Sequence, residues 1–142
     1  MSTELVLDRV HGLKIPVNLM ALASAATNGE QDKASFVAPY AMKLEAAYLA
    51  FIAALTGAAT NHPKFSIINK GAAGTGTTEM AALAFATTAV TAGAGAPKAL
   101  TLSTTPANLL VAAGDIIAIV SEQVGTGKVH DICYPSVHFS FI

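Results

Sequence analysis

The chain has 142 residues, of which 53% are hydrophobic and only 12% charged, with a net charge of -1. That length suits one domain with a sizeable core and leaves little room for a second. Lys14, Lys33, Lys43, Lys64, Lys70, Lys98 and Lys128 are scattered and Arg9 is the only arginine, so the clustered positive field that holds a nucleic acid is excluded.

Leu5, Leu7 and Val10 open the chain in the style of a strand, and residues 15–22 read as a second N-terminal strand. Residues 44–55, LEAAYLAFIAAL, support two readings. Their helix propensity is high and Gly57 would serve as a C-terminal stop. As a helix, however, they would be apolar on every face and need burial all round. The strand reading is preferred, with Leu44, Tyr48 and Ile52 on one side and Leu49, Phe51 and Leu55 on the other.

Pro63 stands before the next run, in which Phe65 and Ile67 alternate with Ser66. Residues 71–78 and 91–97 are loops of small residues, and residues 79–88 between them read as a strand with Leu83 and Phe85 on one face. Leu100 and Leu102 alternate with Thr101 and Ser103 after Pro97. The continuous apolar run Ile116, Ile117, Ala118, Ile119, Val120 is that of a strand buried on both faces. It follows the turn signal Gly114-Asp115 and precedes Gly125-Thr126-Gly127, so a hairpin is expected, with a return arm near residues 129–133. Val137, Phe139 and Phe141 alternate with His138 and Ser140, a half-buried strand for which Pro135 suits the start.

Short strands separated by Gly, Pro, Asn and Thr clusters argue for an all-β fold, an antiparallel β-sandwich or jelly roll. We expect one domain overall, with residues 36–142 as the sandwich and residues 1–35 as N-terminal strands or an arm packing on a partner. Charged residues make up about half the usual share of ~25%, which leaves apolar surface for other subunits to cover. The first residues lack the basic and apolar regions of a signal peptide, and the longest uncharged apolar run, residues 46–59, is shorter than the ~20 residues of a spanning helix. No membrane association is expected. Cys133 is the only cysteine, which excludes an intrachain disulfide or a thiolate zinc site and fits synthesis in a reducing cytoplasm.

Each candidate motif fails on a specific residue. The glycine-rich run of residues 71–78 has Thr77 where a phosphate-binding loop needs Lys, and Glu79 where the dinucleotide fingerprint needs its third Gly. Gly125-Thr126-Gly127-Lys128 has Glu122 in place of the first Gly and Val129 in place of Ser or Thr. His130, Asp131 and Cys133 could ligate a metal, but in a strand His130 and Ile132 face away from Asp131 and Cys133. His11, His62 and His138 could join them from elsewhere in the fold, although no fixed ligand spacing links them. Cys133 lacks the surroundings of a nucleophile and reads as a buried small hydrophobe. Nothing marks a working pair among Glu4, Asp8, Glu30, Asp32, Glu45, Glu79, Asp115, Glu122 and Asp131. No catalytic, cofactor-binding or metal site is therefore assigned, and the chain is read as no enzyme.

The order of features, a succession of turn and strand patterns rather than catalytic signatures, nevertheless matches a known type. Ala38-Pro39 leads into the long apolar strand, and Asn61-His62-Pro63 precedes Phe65-Ser66-Ile67-Ile68-Asn69 and the Gly/Thr-rich loop. Leu109-Leu110-Val111-Ala112-Ala113-Gly114-Asp115 then introduces the buried strand, and Gly125-Thr126-Gly127 precedes the closing Val-x-Phe-x-Phe. Over residues 36–142 this resembles the small jelly-roll virion proteins of tailed bacteriophages that decorate or cement the capsid. The resemblance implies a structural virion protein, made in the host cytoplasm and placed on the capsid exterior. It implies a homo-oligomer, a trimer, bound to the major capsid protein, with residues 1–35 as the arm or an edge strand. The alternative is a receptor- or carbohydrate-binding module of the same fold, against which the absence of Trp and the presence of only Tyr40, Tyr48 and Tyr134 count. A small hydrolase or metal-dependent enzyme is the third reading.

Overall fold

The computed structural model describes residues 13–24 and 30–142. The strands in chain order are β1 (Lys14–Asn18), β2 (Gln31–Val37), β3 (Met42–Phe51), β4 (Leu55–Thr56), β5 (His62–Asn69) and β6 (Thr78–Ala84). Then come β7 (Thr91–Ala92), β8 (Pro97–Ala99), β9 (Thr101–Leu102), β10 (Leu110–Val111), β11 (Ile116–Val124) and β12 (Cys133–Phe141). A single 3-10 turn, Pro106–Leu109, precedes β10 among the described residues.

The strands form two large antiparallel sheets. The first runs β1-β12-β3-β10, with β8 sharing the free edge of β3, and the second runs β2-β11-β5-β6-β9. β1, β2, β3 and β5 alternate between the sheets, β5 and β6 pair as neighbours in the second, and β12 lies between β1 and β3 as β11 lies between β2 and β5. This is the strand order of a jelly roll, built from two interleaved Greek keys. Of the residues read as N-terminal strands or arm, 14–18 pair with β12 and 31–34 with β11. The proposed strand at Leu5, Leu7 and Val10 lies outside the described residues.

The inner faces meet through aromatic rings. Phe36 of β2 stacks on Phe139 of β12 at 5.8 Å, and Phe51 of β3 meets Phe65 of β5 at 5.4 Å. Phe85, just beyond β6, closes the group at 5.8 Å from Phe51 and 5.9 Å from Phe65. Leu44, Leu49, Ile67, Ile117 and Ile119 fill the remaining core without measurable exposure. Each such side chain contributes about 1.5–3 kcal/mol of burial, which is what draws residues 42–51 into a strand against their helix propensity.

Five expectations need correction. Residues 116–120 and 129–133 form no hairpin: β2 and β5 occupy both edges of β11, so after Gly125-Thr126-Gly127 the chain crosses to the first sheet. Leu44 does not share a face with Tyr48. The register of β3 on β12 slips between His138 and Phe139, Glu45 is the extra residue, and this bulge turns Leu44 into the core beside Leu49 and Phe51. The strand expected over residues 79–88 ends at Ala84, where the chain bends to bring the Phe85 N–H to the Pro63 carbonyl at 3.1 Å. The strand expected over residues 15–22 stops at Asn18, with Leu22 rejoining β12 only through an isolated bridge to Cys133. In β12 itself, pairing begins at Cys133, ahead of Pro135.

Candidate interaction surfaces

The glycine-rich loop between β5 and β6 spends its amides on itself. The Gly71 N–H donates to Asn69 Oδ1 at 2.8 Å, Gly74 N–H to the Gly71 carbonyl at 3.2 Å, and Gly76 N–H to the Lys70 carbonyl at 2.8 Å. A phosphate cradle needs such groups uncommitted and convergent, so the loop is a turn. The second glycine stretch behaves likewise: Thr126 N–H donates to Asn61 Oδ1 and Lys128 N–H to Gln123 Oε1, each at 3.0 Å. Lys128 Nζ reaches the Thr56 carbonyl.

His130, Asp131 and Cys133 are separated by the core. Residues 129–132 are not in a strand, so the expected alternation fails and His130 and Cys133 are both buried. The His130 ring packs 5.1 Å from Phe65, and its Nδ1 lies 2.9 Å from the Asp131 carbonyl oxygen. The Asp131 carboxylate turns outward, where the Ile132 N–H (2.7 Å) and Ser24 hydroxyl (2.8 Å) hold its pKa below the usual carboxylate range. Burial pushes the Cys133 thiol up to about 12, which suits an inert hydrophobe. A shallow 350 Å³ cleft lined by Ser24, Leu55, Val129, His130 and Asp131 gathers no titratable group besides His130 and Asp131 among the described residues. Among the described residues no three His, Cys, Asp or Glu side chains could hold a metal ion together. His11 lies outside the described residues. No helix among them is long and apolar enough to cross a membrane.

What the fold does present is surface. At one end of the sandwich Val37, Tyr40, Leu110 and Ile142 are 61%, 63%, 47% and 54% exposed. Tyr40 and Ile142 come together there, because the Ile142 N–H reaches the Ala41 carbonyl and Tyr40 meets Phe141 edge-on at 5.7 Å, while Leu110 stands across from Lys43 on β3 and Val37 across from Ile116 on β11. Leu13, 52% exposed, precedes the Lys14–Ser140 pair at the same end of the first sheet. Asp115 fixes this end: its carboxylate accepts the Asn69 amide and the Ala112 N–H, each at 2.9 Å. Its own carbonyl accepts the Ala38 N–H at 2.9 Å.

The outward face of the first sheet differs from that of the second. The second carries the ion pairs Lys64–Glu79 and Lys70–Asp32. On the first, Lys14, Lys43 and Glu45 stand together at one end, and among the described residues the cross-strand rows beyond them carry His138 but no Lys, Arg, Asp or Glu. Cross-strand rows there are Pro16–His138–Ala46 and Asn18–Ser136–Tyr48–Ala99, followed by Tyr134–Ala50–Pro97. The Tyr48 and His138 rings pack at 5.5 Å, and Tyr134 is 54% exposed. The sheet edges are blunted, by Pro16 in β1 and by the Ser35 bulge and Lys33 in β2. Faces and ends, rather than edges, are what this fold offers a partner. Sequence reasoning missed both surfaces, since no local pattern marks residues that only topology brings together.

Comparison of the chain with protein-family models, curated proteins and solved structures finds no match.

Proposed function

We propose that the chain is a structural virion protein that decorates and stabilises a phage capsid, assembling as a homo-oligomer, a trimer, on the major capsid protein. The observation that carries this reading is the apolar end built from Leu13, Val37, Tyr40, Leu110 and Ile142, held in place by the Asp115 hydrogen bonds. Exposed apolar side chains gathered at one place are the usual mark of a protein–protein interface. Closed rotational symmetry would bury the same patch in every copy. The low charge of the chain and the jelly-roll fold support the same reading.

The test is the mass of the chain in solution, followed by co-sedimentation with empty capsids of the phage that encodes it. A discrete oligomer that saturates capsid sites is the expected result. A monomer that stays in the supernatant sinks the proposal. The second reading, a receptor- or carbohydrate-binding module of a virion, is favoured by one observation, the aromatic outward face of the first sheet.

A further inference from the structure

We infer that the outward face of the first sheet, along Tyr134, Tyr48 and His138, is a binding platform for neutral oligosaccharide chains. The inference deepens the second reading and takes its ligand class from it; it does not depend on capsid binding.

Three features of the face point to that chemistry. The first is its rings. Tyr48 lies opposite Ser136 on the neighbouring strand, so it is diagonal to both Tyr134 and His138. Diagonal neighbours on one face are about 7–8 Å apart, and four residues of strand span about 13 Å. The rings therefore form a zigzag track the length of a short oligosaccharide. Their neighbours Ala46, Ala50 and Ala99 are small, so little stands above the track to stop a flat sugar ring from settling on it.

The second feature is uncommitted polarity. Asn18, Ser136, His138, Tyr48 and Tyr134 share this face, and none of their side chains has a hydrogen-bond partner within the described chain. Amide, hydroxyl and imidazole groups both donate and accept, as the hydroxyls of a sugar do. The third feature is charge. The outward face of the second sheet carries the paired ions Lys64–Glu79 and Lys70–Asp32, whereas among the described residues this track has no Lys, Arg, Asp or Glu. A face of that kind offers an acidic glycan or a nucleic acid only the His138 imidazole and no fixed positive charge, and it complements a neutral polyhydroxylated chain. An apolar protein partner would instead bury five polar groups, each at a desolvation cost if left unpaired.

The experiment applies the full-length chain, with Tyr134→Ala, Tyr134→Phe and Tyr48→Ala variants, to an array of neutral and acidic glycans. Affinities are then read for the neutral glycans bound. Tyr134 is exposed, so its replacement leaves the fold intact, which circular dichroism checks. The expected result is binding confined to neutral glycans, weakened about tenfold by either alanine, as the loss of one stacked ring implies, and retained in Tyr134→Phe. Absence of binding to any neutral glycan, binding confined to acidic glycans, or binding undiminished in Tyr134→Ala overturns the inference. So does a fall in oligomeric mass on Tyr134→Ala, which would assign the face to a second copy of the chain. Capsid co-sedimentation of Tyr134→Ala is expected to equal that of the parent chain, so failure of the glycan platform and failure of the capsid reading give different results.

Discussion

Phe51 of β3 and Phe65 of β5 meet across the sandwich, ring centroids 5.4 Å apart and planes at 68°, with Phe85 edge-on to both. All three are fully buried, so truncating one removes contacts to the other two and leaves a cavity that neighbouring strands cannot close. Phe51→Ala or Phe65→Ala should each cost about 3–5 kcal/mol. Urea unfolding followed by circular dichroism reads this as a lower midpoint at unchanged slope. The double variant should cost less than the sum of the two, because the rings share one contact.

Cys133 tests the burial of β12. Its thiol pKa is pushed from 9.0 to about 12 by desolvation. A thiol reagent at pH 8 should therefore leave the native chain unmodified and titrate one thiol per chain in denaturant. The sign for stability follows. The folded state holds this proton more tightly than the unfolded state, so the contribution is complete below pH 9 and declines as pH rises towards 12. Rapid labelling of the native chain at pH 8 would contradict the burial.

Much of this fold is legible in the sequence, and the reasons for the remainder are physical. The alternation of Val137, Phe139 and Phe141 and the apolar run from Ile116 to Val120 identify the central strands of both sheets, since a strand covered on both edges must show its burial in its own residues. The three bulges are invisible there. Glu45, Ser35 and Met80 become extra residues only through the register of a partner strand, and each changes which side chains face inward. At β6 the bulge buries Met80 and Ala81 in succession. The false hairpin has a similar cause: the turn at Gly125 is real, but only the occupied edges of β11 show that the chain must leave the sheet. The two exposed surfaces combine residues as distant as Asn18, Tyr48 and Ser136, a proximity no local spacing records.

Gly57 and Gly71 separate close approach from backbone strain. A Cβ at Gly57 would lie 2.3 Å from the carbonyl oxygens of both Phe85 and Thr87, which cannot yield without breaking the Ala58–Phe85 hydrogen bond. Gly71 has a left-handed φ of 64° but open space around it. Gly71→Ala should cost about 1–2 kcal/mol from strain alone. Gly57→Ala should cost more, because overpacking against rigid backbone is added. Thermal melts of the two variants give the order directly, and a Gly57→Ala chain as stable as the parent would refute the packing described.

The Glu45 bulge carries a pH signature. The Ser140 hydroxyl donates to Glu45 Oε1 at 2.7 Å and, with Lys43 at 3.6 Å, holds the carboxyl below its ordinary 4.5. A depressed carboxyl stabilises the fold above its unfolded pKa, and that contribution is lost as pH falls through the folded value. Ser140→Ala removes the largest cause, so the Glu45 titration followed by NMR should move up towards 4.5. Lys43→Met should also move it up, because the lysine lowers it both through its charge and through a hydrogen bond.

The apolar end offers the last prediction. Tyr40 and Ile142 are exposed in one copy, so replacing them removes little from the isolated fold. Surface substitutions of this kind usually change stability by less than about 0.5 kcal/mol. If the end is where copies join, each replaced side chain instead loses a buried position at every contact, and closed symmetry multiplies the loss around the ring. A Tyr40→Ser, Ile142→Ser double variant should therefore melt as a monomer close to the parent's denaturant midpoint, extrapolated to low concentration, while light scattering reports dissociation of the oligomer. Dissociation with retained fold places the interface at this end. An oligomer of unchanged mass would move the interface elsewhere, whatever the variant does to stability.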